Sequence, residues 1–261
     1  MTVDNPFDLH GRTVVVTGAS EGGLGRAIAH SLAAAGAKLL ISDHPTRERE
    51  LQSTAAQLSE EFDTVAWQVA DVAAEADVGA LHERSLAELG RVDVLVHQAG
   101  VMQRQPTLQT PLADWQRVID VNLTGTWLMN RAFAGPMVSR GRGKIVNTSS
   151  VYAAIVGALP ESAYYASKAG IANLTRGLAA EWGPHGVTVN CVAPGVFYPT
   201  RMTAALGDDP GRLDTMTGRT MLGRLGDPAT DIGGTLVWLS SRASDYVTGQ
   251  VIYIDGGWSA W

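Results

Sequence analysis

The chain has 261 residues, of which 45% are hydrophobic, and its formal net charge is −6 at pH 7. This much apolar material predicts one large core, and we expect a single domain over residues 1–261. An acidic chain lacks the basic surface that nucleic acid requires, and we find neither a secretory leader nor a membrane-spanning apolar run; we therefore expect a cytoplasmic protein that binds neither nucleic acid nor a membrane.

Short runs rich in β-branched residues alternate with longer segments of helical periodicity along the chain. In order, the runs are RTVVVTG, KLLISD, TVAWQVAD, VDVLVHQAG, GKIVNTSS, GVTVNCVAPG and QVIYIDGG. They are nearly continuous in Val, Ile and Leu, which is typical of parallel strands that helices cover on both faces. The sequence therefore predicts an α/β fold with three layers and a doubly wound, seven-stranded parallel sheet.

One long irregular segment interrupts this alternation, from Gly195 to about Gly226. A loop of this length in a compact domain is typically functional, and we expect a substrate lid at about 195–226. The single cysteine, Cys191, lies in an apolar run and is expected to be buried. The six histidines match no ligand spacing, so no metal site is predicted.

The stretch TGASEGGLG, from Thr17 to Gly25, follows the first predicted strand and opens the first helix. Its G-x-S-x-G pattern also matches the nucleophile elbow of hydrolases, but no acid and histidine follow in a suitable pattern. A P-loop is excluded because no Gly-Lys-Ser/Thr follows the glycines. Free N–H groups at a helix N-terminus bind phosphate, so this turn predicts the pyrophosphate site of a dinucleotide.

Asp43 ends the second predicted strand, 18 residues after Gly25. A carboxylate here accepts hydrogen bonds from the adenosine ribose and repels a 2′-phosphate, which favours NAD over NADP. Two alternatives stay open. Asp43 could cap the next helix, and Arg47 and Arg49 leave room for a phosphate.

These motifs, in this order, resemble the single-domain short-chain dehydrogenase/reductases over nearly the whole chain. The resemblance rests on TGAS, LLISD, VADV, HQAG, VNLTG, IVNTSS, YYASKAG, VNCVAPG and TGQVIYIDGG. It implies a Rossmann-type fold, a nicotinamide cofactor, hydride transfer to or from an alcohol carbon, and a homotetramer.

The chain departs from the family pattern at three places. The glycine loop has one extra residue, Gln98 replaces an asparagine, and four residues rather than three separate Gly195 from Thr200. We expect the glycine loop to bulge at Glu21 and Gly22 and to leave Gly18 and Leu24 in their usual places.

The resemblance implies a catalytic set of Asn122, Ser150, Tyr164 and Lys168. Tyr164 is the expected acid/base, and Lys168, at i+4 on the same helix face, is expected to lower its pKa from about 10 towards 7. Ser150 is expected to hold the substrate oxygen, with Ser149 as the alternative. Asn122 is expected to hold a water linked to the lysine, with a helix-distorting amide as the alternative.

The resemblance also implies a cofactor site. Asp71 and Val72 are expected to flank the adenine, with a strand-end cap as the alternative for Asp71, while Val196 and Thr200 reach the carboxamide and the pyrophosphate. The full predicted set is Gly18, Ser20, Gly23, Leu24, Gly25, Asp43, Asp71, Val72, Gln98, Ala99, Gly100, Tyr164, Lys168, Pro194, Gly195, Val196, Phe197 and Thr200.

The substrate is expected to meet Arg104, Tyr152, Glu161, Tyr198 and Arg201. Arg104 or Arg201 could bind an anionic substituent, or both could be solvated loop charges. The predicted function is NAD-dependent oxidoreduction of a secondary alcohol or ketone, such as a sugar, polyol, hydroxy acid or cyclic alcohol. A 3-oxoacyl-carrier reductase and a non-catalytic NAD-binding regulator are the alternatives. The C-terminal WSAW is expected to pack on a neighbouring subunit.

Overall fold

The structure is a computed structural model and describes residues 5–63 and 65–261. Its strands are β1 (Thr13–Thr17), β2 (Lys38–Asp43), β3 (Ala66–Val69), β4 (Val94–His97), β5 (Gly143–Thr148), β6 (Val187–Pro194) and β7 (Val251–Ile254). They form one parallel sheet in the order β3-β2-β1-β4-β5-β6-β7, which confirms the predicted seven-stranded sheet. Thr64, which begins the third predicted run, and residues 1–4 lie outside the described residues.

Eight α-helices connect these strands in the part of the chain that the structure describes. They are α1 (Leu24–Ala34), α2 (Glu48–Glu61), α3 (Glu75–Leu89), α4 (Leu112–Ile119), α5 (Gly125–Arg140), α6 (Ser162–Trp182), α7 (Pro210–Thr217) and α8 (Gly233–Ser240). Short 3₁₀ turns lie at Pro45–Arg47, Thr107–Gln109, Val151–Ala153, Gly183–His185, Ala204–Leu206, Arg242–Ser244 and Trp258–Ala260. None of the described helices is long and apolar enough to cross a membrane.

The helices bury both faces of the sheet, which explains the continuous apolar strands. Along β1, Val14 and Val16 belong to the core beneath α1 and α8, whereas Val15 belongs to the core beneath α3 and α5. All three valines are fully buried. The chain therefore has the three layers of a Rossmann-type fold, with one core on each side of the sheet.

A π-helical turn at Asp120–Thr124 separates α4 from α5. Helical periodicity of the apolar residues over 111–133 favours one continuous helix across this region. The turn places Asn122 fully buried, and its side-chain Oδ1 accepts a hydrogen bond of 2.8 Å from the Val101 N–H. Bulges of this kind are frequent at functional sites, because they aim one side chain away from the regular helical ladder.

The order of the sheet reverses at β1, whose neighbours β2 and β4 lead to opposite edges. The carboxyl ends of β1 and β4 therefore lie side by side, with Thr17 paired with His97. Ligands of doubly wound sheets bind outside this point, because the following loops diverge and leave a crevice.

Candidate active site

A cleft of about 840 Å³ lies at the carboxyl ends of the strands. Most of the residues that the sequence predicted for the cofactor and the chemistry line it. They are Gly18, Gly23, Leu24, Asp43, Asp71, Val72, Gln98, Ala99, Gly100, Ser150, Tyr164, Lys168, Pro194, Gly195, Phe197 and Thr200, together with Arg104 and Arg201 on the substrate side. The cleft lining does not include Ser20, Gly25, Asn122, Tyr152, Glu161, Val196 or Tyr198.

The glycine-rich turn closes one end of the cleft through two tight backbone contacts. Gly18 has a φ of +68°, and a Cβ there would lie 2.9 Å from the Ala99 nitrogen. A Cβ on Gly25 would lie 2.2 Å from the Gly18 carbonyl oxygen. Helix α1 then begins at Leu24 after Gly23, which provides no side-chain cap. The first N–H groups of the helix therefore have no side-chain acceptor at the cap and can donate to a ligand. The turn thus fits a pyrophosphate.

The extra residue of the glycine loop lies in a closed turn at Glu21 and Gly22. The Gly23 N–H donates to the Ser20 carbonyl at 3.3 Å, and Gly22 adopts a φ of +79°. A Cβ on Gly22 would have ordinary space, 3.7 Å from the Arg201 Cβ, so the glycine is needed for its backbone angle. The extra turn thus lies at Glu21 and Gly22, where the sequence analysis expected the bulge.

Asp43 is held by two backbone groups at the end of β2. Its Oδ2 accepts the Ser20 N–H at 2.9 Å, and its Oδ1 accepts the His44 N–H at 2.8 Å. The carboxylate therefore organises the glycine loop, a role that the sequence analysis left out, while it lines the cleft as predicted. Asp71 accepts the Ala73 N–H at 2.9 Å, so its alternative role as a local cap is present too.

Two residues beside Asp43, His44 and Thr46, were missed by the sequence analysis, which had named Arg47 as a possible phosphate partner. His44, Thr46 and Arg47 line the same end of the cleft. The Arg47 guanidinium is paired with Glu50 at 3.0 Å. His44 and Thr46 could have been identified from the sequence, because they follow directly after a strand that ends at the cleft.

Ser150, Tyr164 and Lys168 meet on the floor of the cleft, where β5 ends and α6 passes. The Lys168 ammonium lies 5.5 Å from the centre of the Tyr164 ring and donates to the Thr148 carbonyl at 2.9 Å. Tyr164 and Lys168 are 7% and 4% exposed. Their burial shows that the i, i+4 spacing faces the site rather than solvent.

The pKa of Tyr164 differs from the expectation. Burial raises it to about 12, while a hydrogen bond with Ser150 acts in the opposite direction. Burial also lowers the pKa of Lys168 to about 8. The expected lowering of the tyrosine pKa is therefore absent from the cofactor-free chain, because desolvation dominates.

The adjacent serines have different partners. The Ser149 hydroxyl donates to the Lys168 carbonyl at 2.6 Å and is thereby committed to α6. The Ser150 Oγ accepts the Tyr152 N–H at 3.2 Å and contacts the Tyr164 phenol. Ser150 is thus the serine whose hydroxyl adjoins the phenol, in line with the preferred assignment.

Asn122 connects the π-helical turn to its surroundings. Its Nδ2 donates to the Val101 carbonyl at 2.9 Å and to the Ser167 Oγ at 3.0 Å. With Oδ1 on the Val101 N–H, the amide has one lone pair left for the expected water. A Cβ on Gly100 would lie 3.3 Å from Asn122 Oδ1 and 3.4 Å from Lys168 Nζ, so glycine keeps the space between them open.

A polar row that the sequence analysis missed crosses the sheet beneath this site. Thr17, His97, Asn147 and Cys191 are paired across β1, β4, β5 and β6. The Thr17 Oγ1 bonds to His97 Nδ1 at 2.9 Å and accepts the N–H groups of both Gln98 and Ala99. Burial lowers the pKa of His97 to about 3, so this histidine is neutral.

On the substrate side, Arg104 is paired with a buried carboxylate. Its Nε donates to Glu161 Oε1 at 2.6 Å, and Glu161 is 2% exposed. Tyr152 packs edge-on against Tyr165 with 5.2 Å between the ring centres. Tyr198 and Val196 instead bond to Gly226 through their backbones, and this pairing anchors the two ends of the 195–226 segment to each other.

The C-terminal aromatic residues pack on the same chain's 195–226 segment. Trp258 is 5% exposed, and its ring centre lies 5.3 Å from the Arg219 guanidinium. The Trp261 Nε1 donates to the Arg219 carbonyl at 2.9 Å. Of these two tryptophans only Trp261 is exposed, so the expected contact with a neighbouring subunit could be made by Trp261 and not by Trp258.

The doubly wound sheet, the glycine cradle and the buried Ser-Tyr-Lys set together define a nicotinamide-dependent oxidoreductase. A family model described as Enoyl-(Acyl carrier protein) reductase matches residues 18–259. The chain belongs to the short-chain dehydrogenase/reductase family.

Similar proteins point to sugar chemistry. The chain is 37% identical to 2-dehydro-3-deoxy-D-gluconate 5-dehydrogenase of Bacillus subtilis, covering 97% of this chain and 96% of the relative. It is 38% identical to galactitol 2-dehydrogenase (L-tagatose-forming) of Cereibacter sphaeroides, covering 98% of both. A solved gluconate 5-dehydrogenase from Burkholderia cenocepacia, in complex with NADP and tartrate, superposes with a TM-score of 0.91 at 35% identity and covers 98% of both chains.

Proposed function

We propose that the protein is an NAD-dependent dehydrogenase of sugar acids or alditols, which interconverts a secondary alcohol and its ketone. The observation that carries the proposal is the convergence of Ser150, Tyr164 and Lys168 at the floor of a cleft that fits a dinucleotide. Relatives that act on gluconate derivatives and galactitol support this substrate class.

The chain's own residues supply the proton chemistry. The Ser150 hydroxyl holds the substrate oxygen beside the Tyr164 phenol, which exchanges a proton with that oxygen. A bound nicotinamide nucleotide would accept the hydride from the alcohol carbon or return it to the ketone. With a pKa of about 12, Tyr164 is protonated at neutral pH, which is the form that donates to a ketone oxygen during reduction.

Lys168 and Asn122 act around that proton exchange. The Lys168 ammonium favours the phenolate that forms during alcohol oxidation, because a positive charge lies beside the ring. Asn122 fixes Val101 and α6 relative to each other and leaves one oxygen lone pair for a water linked to the lysine.

NAD is preferred in this proposal because Asp43 lines the ribose end of the cleft. A carboxylate there repels a 2′-phosphate, and Arg47 is already paired with Glu50. The NADP in the Burkholderia cenocepacia structure favours the opposite preference. The preference for NAD or NADP is therefore the first property that the experiment must measure.

The two alternative functions receive less support. The description of the family model names a carrier-protein reductase, but the curated relatives named above act on sugar derivatives. A non-catalytic regulator has no need of a buried tyrosine and lysine beside a serine.

We further propose that residues 195–226 form a lid over the substrate end of one catalytic domain, and that the protein assembles as a homotetramer, as the family resemblance implies. Arg201 and Phe197 of this segment line the cleft, which supports the lid. The cytoplasmic location stays a prediction from the sequence.

The test is a steady-state assay of D-gluconate, 2-dehydro-3-deoxy-D-gluconate, galactitol and cyclohexanol with NAD and with NADP. We expect turnover of a sugar acid or alditol in the wild type and a loss of at least about 1,000-fold in kcat for Tyr164→Phe. Tyr165→Phe is the matched control, because its hydroxyl donates to the Leu159 carbonyl and Tyr165 does not line the cleft. Full activity in Tyr164→Phe would refute the mechanism, and turnover of cyclohexanol alone would refute the substrate class.

A further inference from the structure

Arg201 lies against the glycine turn, although the sequence analysis expected it to meet the substrate. Its backbone N–H donates to the Gly22 carbonyl at 2.7 Å, and a Cβ on Gly22 would lie 3.7 Å from the Arg201 Cβ. The Arg201 Nη1 lies 3.5 Å from the Glu21 carbonyl oxygen. Both Arg201 and Gly22 line the cleft. Backbone and side-chain contacts therefore place this arginine beside the turn that opens α1.

The other cations that line the cleft are engaged away from this turn. They are Arg47, Arg104, Arg117 and Lys168. The first two are paired with carboxylates. The Arg117 guanidinium donates to the Gln103 side chain at 2.8 Å, and the Lys168 ammonium donates to the Thr148 carbonyl at the catalytic floor. Among the described residues, Arg201 is the cleft-lining cation that contacts the glycine turn, and it has no carboxylate partner there.

The glycine turn itself provides no positive side chain for a pyrophosphate, which is doubly negative. Residues 17–25 contain Glu21 and neither lysine nor arginine. Helix α1 offers free N–H groups, but a helix N-terminus is equivalent to only about half a positive charge. A guanidinium adds a full charge and N–H donors in a geometry that matches phosphate oxygens. Arg201 therefore supplies the charge that the backbone groups of the turn lack.

The ribose end of the cleft is less suited to a phosphate. Asp43 lines that end with a carboxylate, and the Arg47 guanidinium is paired with Glu50. A phosphate on the adenosine ribose would therefore meet a negative charge, whereas the pyrophosphate at the glycine turn would meet Arg201.

We propose that the Arg201 guanidinium binds the pyrophosphate of the dinucleotide and so ties the start of the 195–226 segment to the bound cofactor. This inference rests on the proposed function and deepens it. Because the bond to Gly22 comes from the backbone of Arg201, a change of side chain removes the charge and leaves that bond in place. Arg201 is then a cofactor-binding residue that takes no part in the proton exchange.

The experiment measures the Kd of NADH, NADPH, ADP-ribose and adenosine for the wild type, Arg201→Gln and Arg201→Lys, by NADH fluorescence and by displacement of NADH. We expect Arg201→Gln to raise the Kd of NADH and ADP-ribose by roughly 5- to 30-fold, and that of adenosine, which has no phosphate, by less than about twofold. Arg201→Lys should recover part of the loss, because it keeps the charge. Arg117→Gln removes a charge from another part of the same cleft and is the matched control, with an expected change of less than about twofold for every probe.

The loss in Arg201→Gln should shrink as sodium chloride rises from about 50 to about 500 mM, because salt screens an exposed charge pair. Unchanged binding of ADP-ribose, equal losses for ADP-ribose and adenosine, equal losses in Arg201→Gln and Arg117→Gln, or a loss independent of salt would overturn the inference. A loss for NADPH about tenfold larger than that for NADH would assign the charge to the ribose 2′-phosphate and overturn it as well. A wild type that binds ADP-ribose through Arg201 but oxidises no sugar derivative would refute the proposed function and leave the pyrophosphate contact standing.

Discussion

The backbone N–H of Arg201 donates a hydrogen bond of 2.7 Å to the carbonyl oxygen of Gly22. The two residues come from the two places where the chain is longer than its family pattern, the glycine loop and the segment after Gly195. The two segments thus meet at the cleft, which both residues line. The bond ties the start of the proposed lid to the turn that is expected to hold the pyrophosphate.

Gly22 and Gly25 should therefore differ sharply when each is replaced by alanine. Gly22→Ala places a Cβ in ordinary contact with the Arg201 Cβ but forces an L-residue into φ +79°, at a cost of about 1–2 kcal/mol. Gly25→Ala places a Cβ 2.2 Å from the Gly18 oxygen, which requires the backbone to move. We expect a several-fold rise in cofactor Kd for the first variant and loss of binding for the second, measured by fluorescence titration. Equal effects would show that the extra residue is not a separate turn.

Asp43 should set the cofactor preference through its charge. Asp43→Asn removes the repulsion of a 2′-phosphate, so the ratio of kcat/KM for NADP to that for NAD should rise by roughly 10- to 100-fold. The asparagine keeps one acceptor for the Ser20 or His44 N–H, so the fold should persist. Asp71→Asn is the control and should affect both cofactors alike. An unchanged ratio, or a wild type that already prefers NADP, would contradict the assignment.

Lys168 should make the cofactor-free protein more stable as the pH rises from 8 to 10. Burial lowers its pKa to about 8, from the usual value near 10.5, so in this window the unfolded chain binds more protons than the folded one. The free energy of unfolding then increases with pH, by about 1.4 kcal/mol per unit at most. Below pH 8 both states hold the proton, and the full cost of burying the charge lowers the stability.

Lys168→Met should abolish that rise, so the difference in unfolding free energy between the two proteins should change by about 2 kcal/mol across the window. Denaturant titrations at pH 8, 9 and 10 measure it. The raised pKa of Cys191 opposes the rise from about pH 9, but it does so in both proteins, so the comparison uses the difference between them. The range stops at pH 10 because the raised pKa of Tyr164 adds a second opposing change above it. Lys38→Met, at an exposed position, should follow the wild type. Parallel pH curves for wild type and Lys168→Met would show that burial does not lower the pKa of Lys168.

The sheet could be predicted from the sequence because each strand can be recognised from its own short segment. Each strand is a nearly continuous apolar run, and the residues that end or follow the strands, such as Asp43 and Ser150, necessarily gather at one edge. The same rule brings Tyr164 and Lys168 to the cleft once α6 is placed beside β5. The chemistry at the strand ends can therefore be predicted from the order of the residues alone.

The contacts between distant segments could not be predicted in this way. The π-helical turn at Asp120–Thr124 depends on the bond between Asn122 and Val101, and helical periodicity alone favours one unbroken helix. The pKa of Tyr164 depends on how completely the site is buried, which spacing does not reveal.

Trp258 should help to hold the proposed lid in place, because its ring packs against Arg219 of the lid. Its ring is buried against Arg219, and the Leu222 N–H bonds to the Gly256 carbonyl at 3.1 Å beside it. Trp258→Ala removes this support and should lower the unfolding free energy by about 2–4 kcal/mol. Because the Trp258 ring packs against Arg219 of this segment, we also expect faster proteolytic cleavage of residues 210–222 and a higher KM for the substrate. Trp258→Phe should restore most of the stability and most of the resistance to cleavage.

Trp127→Ala removes a similar pair on α5, in which the Arg131 guanidinium lies 4.5 Å from the ring centre, and should leave lid cleavage unchanged. If the two alanine variants accelerated cleavage of residues 210–222 equally, the effect would reflect general destabilisation, and Trp258 would have no specific hold on the lid.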